Sequence, residues 1–147
     1  MQFTMKTIAV EYTAPIKPPE KVFDAKTAYA IARPIFDKLD SDREHFVIIA
    51  LDPSGNLNGY KHLFSGGQCA VGAHVREVLR AALLLDAYAI VAFHNHPTDD
   101  TTPSANDIES TVSLLQACKT IGIDLRDHIV MGLDHAQSIR FDERIAS

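Results

Sequence analysis

The sequence predicts an α/β chain of the α+β kind: a single domain with a mixed central β-sheet flanked by helices. Three observations predict it. Two short apolar runs, Phe46-Val47-Ile48-Ile49-Ala50-Leu51 and Tyr88-Ala89-Ile90-Val91-Ala92-Phe93, are bounded by polar or turn residues and carry the β-branched and aromatic side chains of buried strands. Stretches before, between and after them repeat apolar residues at helical spacing. The elements come in mixed order (helix, hairpin, helix, strand, helix, hairpin), which packs helices against one sheet.

Met5 to Thr13 alternates loosely, with Ile8 and Val10 on one face, and reads as a first strand or an arm. Ala14-Pro15-Ile16-Lys17-Pro18-Pro19 breaks regular structure and reads as an extended connector, so residues 1–20 precede the packed part of one domain over 1–147. Asp24 is placed to cap a helix through about Leu39, with Ala28, Ile31, Ile35 and Leu39 as its stripe and Pro34 expected to kink or divide it. After the polar turn Asp40-Ser41-Asp42-Arg43, Glu44 to Leu51 is a strand apolar on both faces, expected inside the sheet. Asp52-Pro53-Ser54-Gly55-Asn56 is a hairpin turn and Leu57 to Phe64 the returning strand. Ser65-Gly66-Gly67 ends it, where glycine permits a tight bend or a close ligand. His74 to Leu85 is an amphipathic helix burying Val75, Val78, Leu79, Ala82 and Leu85. The strand from Tyr88 extends through His96, because Pro97 pushes the residue before it out of the α region. Ser104 caps a further helix, with Ile108, Val112 and Leu115 at helical spacing. His128 to Leu133 and Ser138 to Phe141 are two strands joined through Asp134-His135-Ala136-Gln137.

Composition sets limits on function. The length, 147 residues, suits one domain with a real core. A formal net charge of −5 provides no electrostatic footprint for strong nucleic-acid binding. Cys69 and Cys118 form no paired framework and fit a reducing cytoplasm. They also cannot supply the Cys-x-x-Cys arm of a zinc nucleobase deaminase. No apolar run reaches membrane-spanning length and the N-terminus lacks a signal-peptide core, so a cytoplasmic protein is expected.

The chemistry concentrates in His94-Asn95-His96-Pro97 and the ten residues after it. On an extended chain His94 and His96 point to the same side. Asp107 falls in the first turn of the following helix, and the intervening loop returns that turn towards the histidines. Two imidazoles and one carboxylate are ligands that zinc accepts, and a catalytic zinc keeps a fourth position for water. A plainer reading also exists. Two exposed histidines at a strand end give the same pattern, and Ser104-x-x-Asp107 is close to a capping box whose carboxylate favours the helix dipole. That reading accounts for Asp107 but not for the two histidines just upstream.

The pattern His94-x-His96, seven residues, Ser104-x-x-Asp107 resembles the JAMM motif of the JAB/MPN metalloprotease superfamily at every spacing. His94-Asn95-His96-Pro97 with Asp127-His128-Ile129-Val130-Met131-Gly132 resembles the RadC branch of bacterial JAB proteins, over about Glu44 to Gly132. The resemblance implies a JAB/MPN-like (cytidine-deaminase-like) architecture. It also implies one zinc per chain on His94, His96 and Asp107, with water as the fourth ligand.

It further implies two catalytic side chains. In JAMM enzymes a glutamate at the start of an upstream strand takes the water's proton and passes it to the leaving amine, and Glu44 stands at the matching place. Glu44 also reads as a solvated carboxylate in the run Asp42-Arg43-Glu44. Glu77 is a rival for the role, although between Arg76 and Arg80 it reads equally as a helix-surface charge. Ser104 matches the family serine that bonds the tetrahedral intermediate or the active-site water. Helix capping can operate at the same time. His45, His62, His74, His128 and His135 show no partner spacing and are expected on the surface or as satisfied core residues.

The chain departs from the RadC pattern in places. Thr98-Asp99 stands where Ser-Gly is usual, and Val75 stands where a proline commonly precedes the Arg-Glu pair, which puts substrate preference in doubt more than metal binding. Full-length RadC proteins also carry an N-terminal helix-hairpin-helix region that this chain is too short to hold. The expected function is therefore zinc-dependent hydrolysis of amide or isopeptide bonds in a peptide or protein substrate. Two other functions fit the resemblance: a non-hydrolytic RadC-like module acting in protein interaction or DNA repair, and a zinc hydrolase of a non-peptide amide.

Overall fold

Among the residues that the computed structural model describes (21–22, 24–66 and 71–146), the chain runs α1 (Ala25–Phe36), β1 (His45–Leu51), β2 (Leu57–Ser65), α2 (Val71–Leu84), β3 (Ala89–Asn95), α3 (Ala105–Ile121), β4 (Asp124–Met131), β5 (Ala136–Ser138) and α4 (Glu143–Ala146). The expected strand or arm at 5–13, its connector, Gly67 and Cys69 lie outside the described residues. The strands form one mixed sheet in the order β2-β1-β3-β4-β5. The β1–β2, β1–β3 and β4–β5 pairs are antiparallel and β3–β4 is parallel. The fold is the expected α+β one, consistent with the JAB/MPN type.

The two apolar runs are the inner strands β1 and β3. Every β1 residue is buried, and β3 is buried up to His94. Both faces of the sheet are therefore covered. On one side Val47, Ile49, Leu51, Val91 and Phe93 pack with Ala28, Ala32 and Phe36 of α1. On the other, Phe46, Ile48, Ile90 and Ala92 pack with Val78 and Ala82 of α2 and Leu114 and Cys118 of α3. The parallel pair β3–β4 is joined through α3. The β3–α3 loop thus sits at the carboxyl end of β3, the place where sheets with such crossovers present ligands.

Several boundaries differ from the sequence reading. Asp24 caps α1 through a capping box with Thr27, as expected, but the helix stays continuous through Pro34 and ends at Phe36. Its buried line is Ala28, Ala32 and Phe36, with Ile31, Ile35 and Leu39 packed beside it. The helix α2 begins at Val71 rather than His74, continuing through Gly72. The strand β4 begins at Asp124, ahead of the apolar run, because Leu125 already faces the core. The last strand is Ala136–Ser138 instead of Ser138–Phe141: Ile139 is buried and follows it, while Phe141 is exposed and precedes the short α4.

Helix α3 carries the correction with most bearing on function. Its innermost line is Asp107, Thr111, Leu114 and Cys118, and the expected stripe of Ile108, Val112 and Leu115 flanks it half-buried. The helix is rotated so that its first two turns point a carboxylate and a hydroxyl, rather than methyl groups, at the sheet.

Candidate metal centre

Strand β3 carries His94; it ends at Asn95 and does not reach His96 as expected, but His96, the next residue, still meets His94, and the capped start of α3 brings Asp107 to both. Ser104 is the N-cap residue. Its Oγ accepts from the Asp107 N–H at 3.1 Å, while the Asp107 Oδ2 accepts from the Ser104 N–H at 2.8 Å and the Ser104 hydroxyl at 2.7 Å. The same box that starts the helix therefore orients the carboxylate. His94 Nε2 lies 2.9 Å from His96 Nε2 and 3.2 Å from Asp107 Oδ1; His96 Nε2 lies 3.2 Å from Asp107 Oδ2.

These separations fit a shared metal ion. Tetrahedral zinc with bonds of 2.0–2.1 Å keeps its ligand atoms about 3.3 Å apart. The donor chemistry fits too. His96 Nδ1 is 2.6 Å from the Asp100 carbonyl, which can only accept, so a ring proton lies on Nδ1 and Nε2 is the nitrogen turned towards the other two groups. Among the described residues, His94, His96 and Asp107 form a group of metal-type donors with ligand atoms within 4.8 Å of one another. Burial pushes the Asp107 carboxyl up. The neighbouring His94 and the bonds from Ser104 outweigh that and hold it well below the usual carboxylate range, so it stays anionic.

Behind the three donors lies a buried polar layer. His94 Nδ1 is 2.9 Å from His128 Nε2, and His128 Nδ1 is 2.7 Å from Thr111 Oγ1. The Thr111 hydroxyl donates to the Asp107 carbonyl at 2.6 Å. His128 is 2% exposed, and burial pushes its pKa well below the ordinary histidine value, with the neighbouring His94 adding to the shift. A satisfied-core role for His128 is thus what the fold provides, but its partner is His94. Thr111, and the pairing of His128 with His94, escaped the sequence reading; the signal that finds Thr111 is its position four residues after Asp107, one helical turn along the same face.

The expected catalytic residues take separate places. The register Phe46↔His94, continued outwards, sets Glu44 across from His96 on the same face, half-buried and one residue ahead of β1, which begins at His45 rather than at Glu44. Asn95, between the two histidines and pointing to the opposite face, accepts the His45 N–H at 2.8 Å and donates to the Arg43 carbonyl at 2.8 Å. It thereby holds both peptides that flank Glu44. Glu77 lies on α2 with its carboxylate 2.5 Å from Arg80 Nη2, in an ion pair on the helix. Beside His96 opens a cleft of about 80 Å³ lined also by Arg33, Asn95, Pro97 and Gly132, which reaches the donor group from the α1 side.

The remaining histidines form other contacts. His45 Nδ1 is 3.1 Å from His62 Nε2 on the α1 face. His135 is exposed and pairs with Asp134 at 2.8 Å. His74 packs against Phe64 and Phe46, and among the described residues no group bonds its buried Nε2. The departure at Asp99 also has a physical account. Asp99 sits at φ 61°, a left-handed conformation where glycine is at ease, and its Oδ1 accepts from the Leu133 N–H at 2.7 Å. The aspartate ties the metal loop to the β4–β5 turn in a way that glycine has no side chain to do.

Comparison with known proteins agrees with this geometry. A family profile described as the RadC-like JAB domain matches residues 22–144. The chain is 38% identical over 117 residues to a UPF0758 protein of Syntrophomonas wolfei, covering 80% of this chain and 48% of the relative. It is 44% identical over 101 residues to UPF0758 protein PsycPRwf_0491 of Psychrobacter sp., covering 69% and 44%. It is 37% identical over 91 residues to UPF0758 protein YfjY of Escherichia coli, covering 62% and 57%. The chain thus spans about half the length of the curated relatives it matches, and their names state no activity. Among the described residues no helix is long and apolar enough to cross a membrane.

Proposed function

The chain belongs to the RadC-like JAB domain family, and on that premise we propose that it is a metal-dependent hydrolase cleaving peptide or isopeptide bonds. The observation that carries the proposal is the convergence of His94 Nε2, His96 Nε2 and the Asp107 carboxylate within 4.8 Å, at the carboxyl end of a central strand. In this reading those three side chains hold one zinc ion. Zinc held there would act as a Lewis acid on a substrate carbonyl and lower the pKa of water from 15.7 to about 7.

The chain's own side chains perform the rest. Glu44, across the strand pair from His96, accepts a proton from the attacking water and delivers it to the departing amine nitrogen as the C–N bond breaks. Asn95 holds the peptides on either side of Glu44 and so limits where that carboxylate can sit. The Ser104 hydroxyl, which bonds Asp107 in the resting protein, turns to the oxyanion that develops on the substrate carbonyl. The cleft beside His96 gives a substrate a way to approach the donor group. The Arg80 pairing of Glu77 supports Glu44 as the proton acceptor.

The test is cleavage of a peptide library by the zinc-loaded chain, read by mass spectrometry with and without a chelator. Chelator-sensitive peptide or isopeptide cleavage supports the proposal. Turnover confined to non-peptide amides replaces it with hydrolysis of that substrate class. No cleavage, together with tight duplex binding in a gel-shift assay at physiological salt, replaces it with a DNA-processing module. The net charge of −5 predicts weak, salt-sensitive duplex binding instead.

A further inference from the structure

The geometry points to Thr111 and His128 as positioning residues of the metal centre, forming with the Asp107 carbonyl a hydrogen-bond relay that fixes the proton of His94 on Nδ1 and turns its Nε2 lone pair to the metal. The inference rests on the metal-holding part of the proposed function.

The relay reads from its fixed end. A backbone carbonyl only accepts, and the Thr111 oxygen is 2.6 Å from the carbonyl of Asp107, so the hydroxyl proton lies between them. The Thr111 oxygen is left with lone pairs. It is 2.7 Å from His128 Nδ1 and must accept there, so His128 carries a proton on Nδ1. His128 is buried at 2% exposure with Thr111 on one nitrogen and His94 on the other. With its Nδ1 proton given to Thr111, His128 turns Nε2 to His94 Nδ1 at 2.9 Å as the acceptor of that contact, the arrangement that leaves the His94 Nε2 lone pair to the metal.

The consequence is that the two ligand histidines are set by two separate devices. His96 is held by the Asp100 carbonyl and His94 by a side-chain chain that ends on the backbone of Asp107, the third ligand. The relay therefore closes a ring: Asp107 supplies a carboxylate to the site and, through its own carbonyl, dictates the tautomer of the ligand opposite. Ring orientation and tautomer of a metal-bound histidine are commonly fixed by such an outer partner, whose loss costs about 10–100-fold in metal affinity. The rotation of α3 that buries Thr111 at 0% exposure and Asp107 at 8% gains a functional reason.

The experiment compares the full chain with Thr111→Val, which keeps the shape and deletes the hydroxyl, and Thr111→Ser, which keeps the hydroxyl. Zinc affinity is read by competition with a chromophoric chelator, and ring protonation by long-range nitrogen–proton NMR of the metal-free chain. The relay predicts zinc binding about 10–100-fold weaker in Thr111→Val, close to the unmodified chain in Thr111→Ser, and protons on Nδ1 of both His94 and His128. Undiminished zinc affinity in a folded Thr111→Val overturns it, whatever that variant does to melting. A His128 proton on Nε2 overturns it without recourse to any variant. An unmodified chain that binds no zinc overturns the metal reading itself, and the positioning role with it, so the two failures are told apart by which protein shows them.

Discussion

Two histidine pairs stand close together on opposite faces of the sheet, and in one of them the donors converge with a carboxylate on a single volume. His94 and His96 bring nitrogens to 2.9 Å with Asp107 at 3.2 Å; His45 and His62 bring nitrogens to 3.1 Å with the Asp40 carboxylate at 2.9 Å from His45. Residue types and distances are nearly the same. The arrangement differs. At the first pair the contacts among His94, His96 and Asp107 all run through the Nε2 side of each ring, so two ring nitrogens and a carboxylate converge on one volume. At the second they are in series: Asp40 bonds His45 Nε2 through both its carbonyl at 2.8 Å and its carboxylate, while His62 bonds the other nitrogen, Nδ1. A proton on His45 Nε2 and another on His62 Nε2 satisfy the series, and the His45 Nδ1 lone pair is taken up within the pair itself. Convergence, more than composition, separates a candidate site from a buried hydrogen-bond array.

The largest expected effect lies at the proton acceptor of the convergent site. Glu44→Gln is nearly isosteric and leaves all three donors, so it should keep zinc and melting while losing roughly 10²–10⁴-fold in turnover on a cleaved substrate. The control is Glu77→Gln, expected near normal in rate and within about 0.5 kcal/mol in stability. Full loss of turnover in Glu77→Gln with none in Glu44→Gln moves the assignment to α2. A smaller effect is expected at Ser104, whose hydroxyl both caps α3 and bonds Asp107. Ser104→Ala should cost about 1 kcal/mol in denaturant unfolding through the lost cap. A chain as stable as the unmodified one would show that the capping box does not anchor the carboxylate.

The smallest effect belongs to the serial pair. Burial, then the neighbouring His45, lowers the pKa of His62 from its ordinary value of 6.5. A lowered histidine in the folded state means that the unfolded chain binds more protons, so stability present above about pH 6.5 declines as pH falls towards the folded value. His62→Gln should flatten that decline in melting temperature between about pH 6.5 and 5, with no change in zinc affinity. Loss of zinc in this variant would erase the distinction between the two pairs.

Much of this was legible in the residues. The runs 46–51 and 88–93 mark the inner strands because a strand covered on both faces must be apolar throughout. The period of two puts His94 and His96 on one side, and the Ser104 cap returns Asp107 to them. The outer layer was not legible, for a physical reason. His128 meets His94 across a parallel strand pair and Thr111 across a crossover, at separations of 34 and 17 residues, and no local spacing encodes either contact. The rotation of α3 was hidden because Ile108, Val112 and Leu115 form a plausible apolar stripe. The true inner line carries two polar residues, which look like surface until their buried partners are known. The strand expected at Ser138 to Phe141 lies earlier, at Ala136–Ser138, with the buried Ile139 just past its end.

The claim that the convergent group is a metal centre is tested most directly by metal analysis of the purified chain beside His96→Ala, after exposure to zinc and removal of the excess. The account predicts about one zinc per chain for the unmodified protein, since two imidazoles and a carboxylate form a three-ligand site with an open position, and loss of most of it in a folded His96→Ala. Undiminished zinc in His96→Ala would contradict it.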